Sequence, residues 1–455
     1  MDFNGLTVAQ VGHVECSYDE NDFAQKRPQR WNPLRHALHT VRISVWNETR
    51  YCFHASQIRL YPRPMNRPQH ETTSSDSSIS RRSLLKGGAA GLLAIETATR
   101  LSAQEAKSAS PNEPRPWLKI RRVYGGFPHE LFERGEKPAD YGINAIWVGS
   151  GGLDAAEIER YHRLGLKVFA EFNSMHSAAY LKDHPDAAPI GPDGKPSQPP
   201  HGWQGVSPLH AGYRQERMQE FRRVLSTFEI DGIWLDYHHA HASWERDEPN
   251  LPDTDFSPAA LTLFAKQTGI QLPADVPAAS ALVLGEQKDA WTKFRCDVFT
   301  DWVREYREVL NEVRPGALLG TFHCPWSPDE YDGAIRHKLA IDLVAQAPYL
   351  DVFSIIPYHA RFGHVGDPAW IARQVRRLGE LLKIRGTPDE VKQIWPIVQL
   401  SDWDEPVAVE QVEAVLDYGS QQPATGIMAF HWNGLSKQWD KVEGLRRAYT
   451  TFRSS

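Results

Sequence analysis

From Pro116 onward, short apolar runs alternate with longer stretches in which apolar residues recur every three or four positions. The runs fall at 118–124, 145–149, 167–173, 232–238, 318–323, 352–358, 394–400 and 426–432. Each is rich in Ile, Val, Phe or Trp without the spacing of a surface helix, which predicts strands buried on both faces. Between them, 155–164, 214–227, 289–313, 369–384 and 409–418 carry the period of amphipathic helices. Strands alternating with helices imply βα units and a parallel sheet. Eight such runs in roughly 340 residues predict an α/β chain folded as a (β/α)8 TIM barrel with long inserted βα loops. The rival is a doubly wound sheet, which carries a glycine-rich phosphate turn after its first strand. Tyr124-Gly125-Gly126-Phe127 is too thin a match to that turn.

Two insertions interrupt the alternation. One, from Ser174 to Gly212, carries Pro185, Pro189, Pro192, Pro196, Pro199 and Pro200, and the other runs from His239 past Pro277. Both follow strands, so both belong to the rim on which barrels carry their active sites.

Ahead of the barrel, Ser80-Arg81-Arg82-Ser83-Leu84-Leu85-Lys86 matches the twin-arginine pattern of bacterial export signals. A weakly apolar stretch, 87–95, and small residues around Leu101-Ser102-Ala103 complete the layout of a signal and its cleavage region. Residues 1–64 show little periodicity, whereas Met65 opens a polar leader of suitable length. The expected organisation is therefore a mis-assigned, disordered extension at 1–64, a signal peptide and linker at 65–115, and the barrel at 116–455. The twin-arginine translocase is the expected partner during export, and the periplasm or the exterior the destination. After cleavage no membrane anchor is expected, since no later run approaches the roughly twenty apolar residues of a spanning helix.

Composition narrows the function. With 41% apolar and 24% charged residues and a net charge of −6, the 455-residue chain offers no basic surface for nucleic acid or an acidic membrane. Its 15 Trp suit stacking on sugar rings, although most are expected in the core. The four Cys (Cys16, Cys52, Cys296 and Cys324) form no CxxC pair, and two buried thiols are expected from the last two.

Candidate chemistry gathers at the C-terminal ends of the strands, which share one bowl. The fourth run reads Asp231-Gly232-Ile233-Trp234-Leu235-Asp236-Tyr237-His238-His239, and a period of two puts Trp234, Asp236 and His238 on one face. A carboxylate ending an apolar strand is costly unless paired or used, so Asp236 is the leading catalytic candidate. Asp231, at the opposite end, is expected to be structural. Glycoside hydrolysis needs two carboxyls about 5–10 Å apart. Glu171 and Asp402 are the expected acid/base partners of Asp236, with Asp404, Asp329 and Glu330 as further acids nearby. Asn173, Trp234, His238, His239, His323, Trp326, Tyr358, His359, Trp403, Asp404, His431 and Trp432 are expected to line the substrate site.

The phrase 231–237, followed by Phe256-Ser257-Pro258-Ala259-Ala260-Leu261 and Thr268-Gly269-Ile270, resembles the bacterial barrel proteins called family-10-like glycosyl hydrolases. The helix at 291–313 leading into Arg314-Pro315-Gly316, and the closing Gly426-Ile427-Met428-Ala429-Phe430, are similar to the same group. The resemblance implies a carbohydrate substrate, no cofactor, and a nucleophilic or charge-stabilising role for Asp236. Where some such enzymes place an acid on the fifth strand, this chain has His323-Cys324. Two alternatives stand beside a glycosidase: a carbohydrate-binding barrel without turnover, and a metal-dependent hydrolase using His238, His323 and His359.

Overall fold

Nine parallel strands form one sheet in the order β7-β6-β5-β4-β3-β2-β1-β9-β8. They are β1 (Ile120–Tyr124), β2 (Ala145–Gly149), β3 (Lys167–Asn173), β4 (Gly232–Asp236), β5 (Leu318–His323), β6 (Val352–Ile355), β7 (Gln393–Ile394), β8 (Ile397–Gln399) and β9 (Gly426–Phe430). A computed structural model describes residues 117–452 of the chain. The expected extension, the export signal and its linker lie outside the described residues.

Two of the nine strands are halves of one predicted run. Pro396 has no amide hydrogen to offer a ladder, and the seventh run divides there into β7, which pairs with β6, and β8, which pairs with β9. Ile394 also bridges to Ala424, beside β9, so the seventh position closes the sheet into a (β/α)8 barrel. The fourth run stops two residues earlier than expected. Tyr237 takes a left-handed backbone conformation, φ 49°, which ends the pleat at Asp236.

Helices follow the strands and cover the barrel, the longest being Lys288–Val313, whose buried face includes Trp291, Phe299, Trp302 and Tyr306. The second insertion contains structure of its own. Helices Pro258–Thr268 and Val276–Leu284 each begin on a capping side chain, Ser257 and Asp275, with a proline in the first turn. Asp231, as expected, is structural: it accepts from Lys167 Nζ at 2.7 Å and from the Val168 amide at 2.8 Å. Cys296 and Cys324 are buried free thiols. Among the described residues no helix is long and apolar enough to cross a membrane.

Inward-facing side chains stack in layers. The lower layer holds Trp147, Phe169, Trp234 and Trp395, with ring centroids 4.2 Å apart for Trp147–Phe169 and 4.4 Å for Trp147–Trp234. Arg122 lies fully buried among them, its guanidinium carbon 3.6 Å from the Trp147 ring centroid. Trp234 is likewise inaccessible, and its indole donates to Ser354 Oγ at 3.0 Å. Trp234 is therefore core, not a sugar platform: it faces inward like Asp236 but stands one layer lower.

That layer depends on one glycine. A side chain at Gly320 of β5 would place its first carbon 2.1 Å from the Trp234 ring, and a ring clamped by Trp147 and Trp395 has little room to yield. Gly320→Ala is expected to cost about 1–3 kcal/mol through overpacking, read as a lower midpoint in urea unfolding. A wild-type midpoint would show the layer to have slack.

Candidate active site

One rung above the tryptophans, alternation brings Tyr124 of β1, Glu171 of β3, Asp236 of β4, Phe322 of β5 and Phe430 of β9 toward the same bowl. Glu171 and Asp236 belong to neighbouring strands, with Asn173 opposite Asp236 and Glu171 opposite Trp234 in the register. Their side chains hydrogen-bond to each other. The Tyr124 hydroxyl donates to Glu171 Oε2 from the other side.

Asp236 is held well above the usual carboxylate range. Burial is the main cause; the negative charges of Glu171 and Glu245 and the hydrogen bond with Glu171 add to it, while the Tyr237 amide opposes. Glu245 comes from the loop after β4, and its charge is also felt at Tyr358 and Cys324. Two further carboxyl groups thus disfavour the ionisation of Asp236. Tyr124 and Tyr358, both raised well above the ordinary phenol value by burial first, stay protonated and able to donate.

Aromatic rings wall the bowl. Tyr124 stacks on Phe430 at 5.3 Å, and Phe430 lies 4.7 Å from Tyr358 and 5.2 Å from Trp403. On the side of the proline-rich loop, Trp203 packs 4.6 Å from Tyr237 and 4.9 Å from His176. Beside Glu171, β2 presents Gly149, and nothing lies within 4 Å of where its side chain would begin. The space there is open.

The expected site residues divide into two groups. Glu171, Asn173, Asp236, His239, Trp403 and His431 are partly exposed on the rim, although Asn173 Oδ1 already accepts the His176 amide at 3.1 Å. Tyr358 shows only its edge, at 3% exposure. The others are committed elsewhere. Asp402 receives Lys441 Nζ at 2.7 Å, Gln438 Nε2 at 2.8 Å and the Val407 amide at 2.9 Å. Its pKa is lowered even against the opposing effect of burial, which suits an ionised loop cap and not a proton donor. Asp404 is taken by Arg361.

His238 is buried because the Tyr237 turn sends it behind the wall, where Nδ1 meets Ser174 Oγ at 2.9 Å and Nε2 donates to the Phe299 carbonyl at 2.9 Å. Trp432 gives its indole to Glu130 Oε2 at 2.7 Å, and Trp326 lies under Tyr331. His323 and His359 are buried in full or nearly so. Burial lowers His176, His238, His239, His323, His359 and His431 to about 4. At neutral pH they are uncharged hydrogen-bonding groups. Among the described residues no group of three or more His, Cys, Asp or Glu is arranged to hold a metal ion.

Tyr124 closes its run and Phe430 stands two residues before the end of its own, so both were accessible to the same strand-end rule that found Glu171 and Asp236. Glu245 carries no such signal, because it stands in an aperiodic loop beside the buried Trp244.

No family model matches the chain, and no curated protein matches its sequence. Solved structures do match its fold. The PgaB (BpsB) glycoside hydrolase domain from Bordetella bronchiseptica is 14% identical with a TM-score of 0.56, over 75% of this chain and 100% of that one. A β-galactosidase from the psychrophilic Marinomonas ef1 is 14% identical with a TM-score of 0.53, over 73% of this chain and 59% of its own. A polyextremophilic β-galactosidase from the Antarctic haloarchaeon Halorubrum lacusprofundi is 13% identical with a TM-score of 0.52, over 73% of this chain and 57% of its own. The chain thus spans under two thirds of either β-galactosidase. At such identities the likeness is one of architecture: the chain shares the barrel fold of these proteins.

A raised folded-state pKa on an acid means that the folded protein binds a proton the unfolded chain releases. Stability from this group is therefore lost as pH rises from the ordinary Asp range through the raised value. Asp236→Asn removes that loss. It is expected to raise the thermal midpoint by about 2–4 °C per kcal/mol relieved at pH 8, with no gain at pH 4; equal midpoints at pH 8 would refute the dehydrated carboxyl.

Proposed function

We propose that the chain is an exported glycoside hydrolase acting on an oligo- or polysaccharide, with Asp236 as its proton donor. The observation that carries this reading is a strand-end carboxyl, hydrogen-bonded to Glu171, that burial and two neighbouring acids push toward its acid form, the direction a general acid needs. A hydrogen-bonded carboxyl pair stands closer than the roughly 5–10 Å that separates the two working groups of glycosidases. Glu171 and Asp236 accordingly act as one proton-holding unit, with Glu245 as the second carboxylate.

In the proposed reaction the glycosidic C–O bond breaks as Asp236 delivers its proton to the departing oxygen. Glu245 balances the positive charge that develops on the sugar ring. Water then supplies the new C–O bond, and its released proton restores the Asp236–Glu171 unit. Tyr124 keeps Glu171 oriented, and the Trp403, Phe430 and Tyr358 wall offers apolar faces to sugar rings. The fold shared with a glycoside hydrolase domain supports the reading. The match of 80–86 to the twin-arginine pattern supports a destination in the periplasm or outside the cell.

A panel of glycans and nitrophenyl glycosides tests the assignment. Asp236→Asn and Glu245→Gln are each expected to lower turnover on an accepted substrate by about 10²–10⁴-fold. Asp402→Asn is expected to leave kcat within about threefold, since Asp402 only caps its loop. Unchanged turnover in Asp236→Asn removes the mechanism, and binding without any release of reducing ends favours a non-catalytic carbohydrate receptor.

Gly149→Phe probes the space beside Glu171. It is expected to raise KM on oligosaccharides at least about tenfold, the effect of roughly 1.4 kcal/mol of lost binding, with a near-native thermal midpoint. An unchanged KM would move the substrate away from β2.

A further inference from the structure

Arg361 stands in the loop after β6 and is 8% exposed, yet its guanidinium serves two other loops of the rim. Its Nε donates to the Glu245 carbonyl at 2.8 Å, in the loop after β4. Its Nη1 donates to Asp404 Oδ2 at 2.6 Å and to Glu405 Oε2 at 3.3 Å, in the loop after β8. The guanidinium carbon lies 4.5 Å from the Trp403 ring centroid. The arginine's own amide donates to Gln399 Oε1 at 3.1 Å, so its backbone is fixed to β8 as well. A rigid fork can hold a carbonyl and carboxylates at set angles, which a single ammonium cannot do.

We propose that Arg361 is a positioning residue, whose grip on the Glu245 carbonyl fixes the loop after β4 against the Trp403 side of the bowl and so sets where the Glu245 carboxylate stands. Its meaning for catalysis rests on the proposed function, but the placement itself does not. Trp244, next to Glu245, packs flat on Phe362, next to Arg361, so the loop after β4 is held to the loop after β6 at adjacent residues. The groups acting on or facing Asp236 are Tyr124 from β1, Glu171 from β3, Tyr237 beside it, Glu245, and Tyr358 from the loop after β6. Glu171 is fixed by its own strand and by Tyr124. Loss of Arg361 therefore releases the contribution of Glu245 and leaves that of Glu171 in place.

The test is a pH titration of the full-length chain labelled with ¹³C at the Asp carboxyls, followed by NMR, with the Asp236 signal assigned by its loss in Asp236→Asn. Arg361→Lys is expected to lower the Asp236 midpoint by about one unit, the lower end of what a charge a few ångströms away contributes. Glu245→Gln is expected to lower it by a similar amount. In the double variant the midpoint should match Glu245→Gln alone, because Arg361 acts through Glu245.

A wild-type midpoint in folded Arg361→Lys, or shifts that add in the double variant, overturns the positioning role. Should Arg361→Lys fail to fold, Asp404→Asn with Glu405→Gln loosens the same guanidinium from the solvent side. A smaller shift in the same direction is then expected, and no shift overturns the role. The titration needs no substrate, so it stands apart from turnover. If Asp236→Asn keeps full activity, the glycosidase reading fails while the titration still decides the role of Arg361.

Discussion

The organising constraint of this barrel is the dehydration of Asp236 among other acids. Water would solvate a lone carboxylate at a strand end at little cost, but burial beside Glu171 and within the field of Glu245 makes ionisation unfavourable. The hydrogen bond between Asp236 and Glu171, on neighbouring strands, relieves part of the conflict. The Tyr124 hydroxyl, which meets Glu171 from β1, takes part of the remaining demand for donors. The acids at the bowl are thus held by strands and by one another, and the protein accepts a local loss of stability to keep them there.

What lies beneath makes that concentration possible. Four large rings and the Arg122 guanidinium fill the layer under the bowl, so water cannot reach the carboxyls from below. Gly320 gives Trp234 the space to lie across the barrel, and Ser354 receives its indole hydrogen. Arg122 is itself unusual, because its Nε and Nη1 find no hydrogen-bond partner among the described residues. Its charge rests on aromatic faces instead, an arrangement that is stronger in a dry interior than at a surface.

The period of the apolar runs carried the architecture, since strands enclosed by helices must be apolar on both faces whatever chemistry sits above them. Strand ends carried Glu171 and Asp236 for the same geometric reason. Three features were beyond that reach. Alternation tells which side chains face the axis but not at which height, so Trp234 and Asp236 looked equivalent although one is sealed and the other lines the bowl. The left-handed turn at Tyr237 is a property of one backbone position, and it sent His238 behind the wall. Asp402 and Glu245 occupy loops, where the partner decides the role: Lys441 claims the first, while the second has its carbonyl held by Arg361 and its charge felt at Asp236.

The interruption at Pro396 divides the mechanical duties of the molecule. β3 and β4, which bear Glu171 and Asp236, are joined by five paired positions, whereas β7 meets β6 over two and β8 meets β9 over three. Trp403 and Phe430 rise over the lightly laddered seam, and the acids over the firmly knitted arc. The wall of aromatic rings and the pair of acids are thus borne by different parts of the sheet, so a change in the seam can move the first without moving the second.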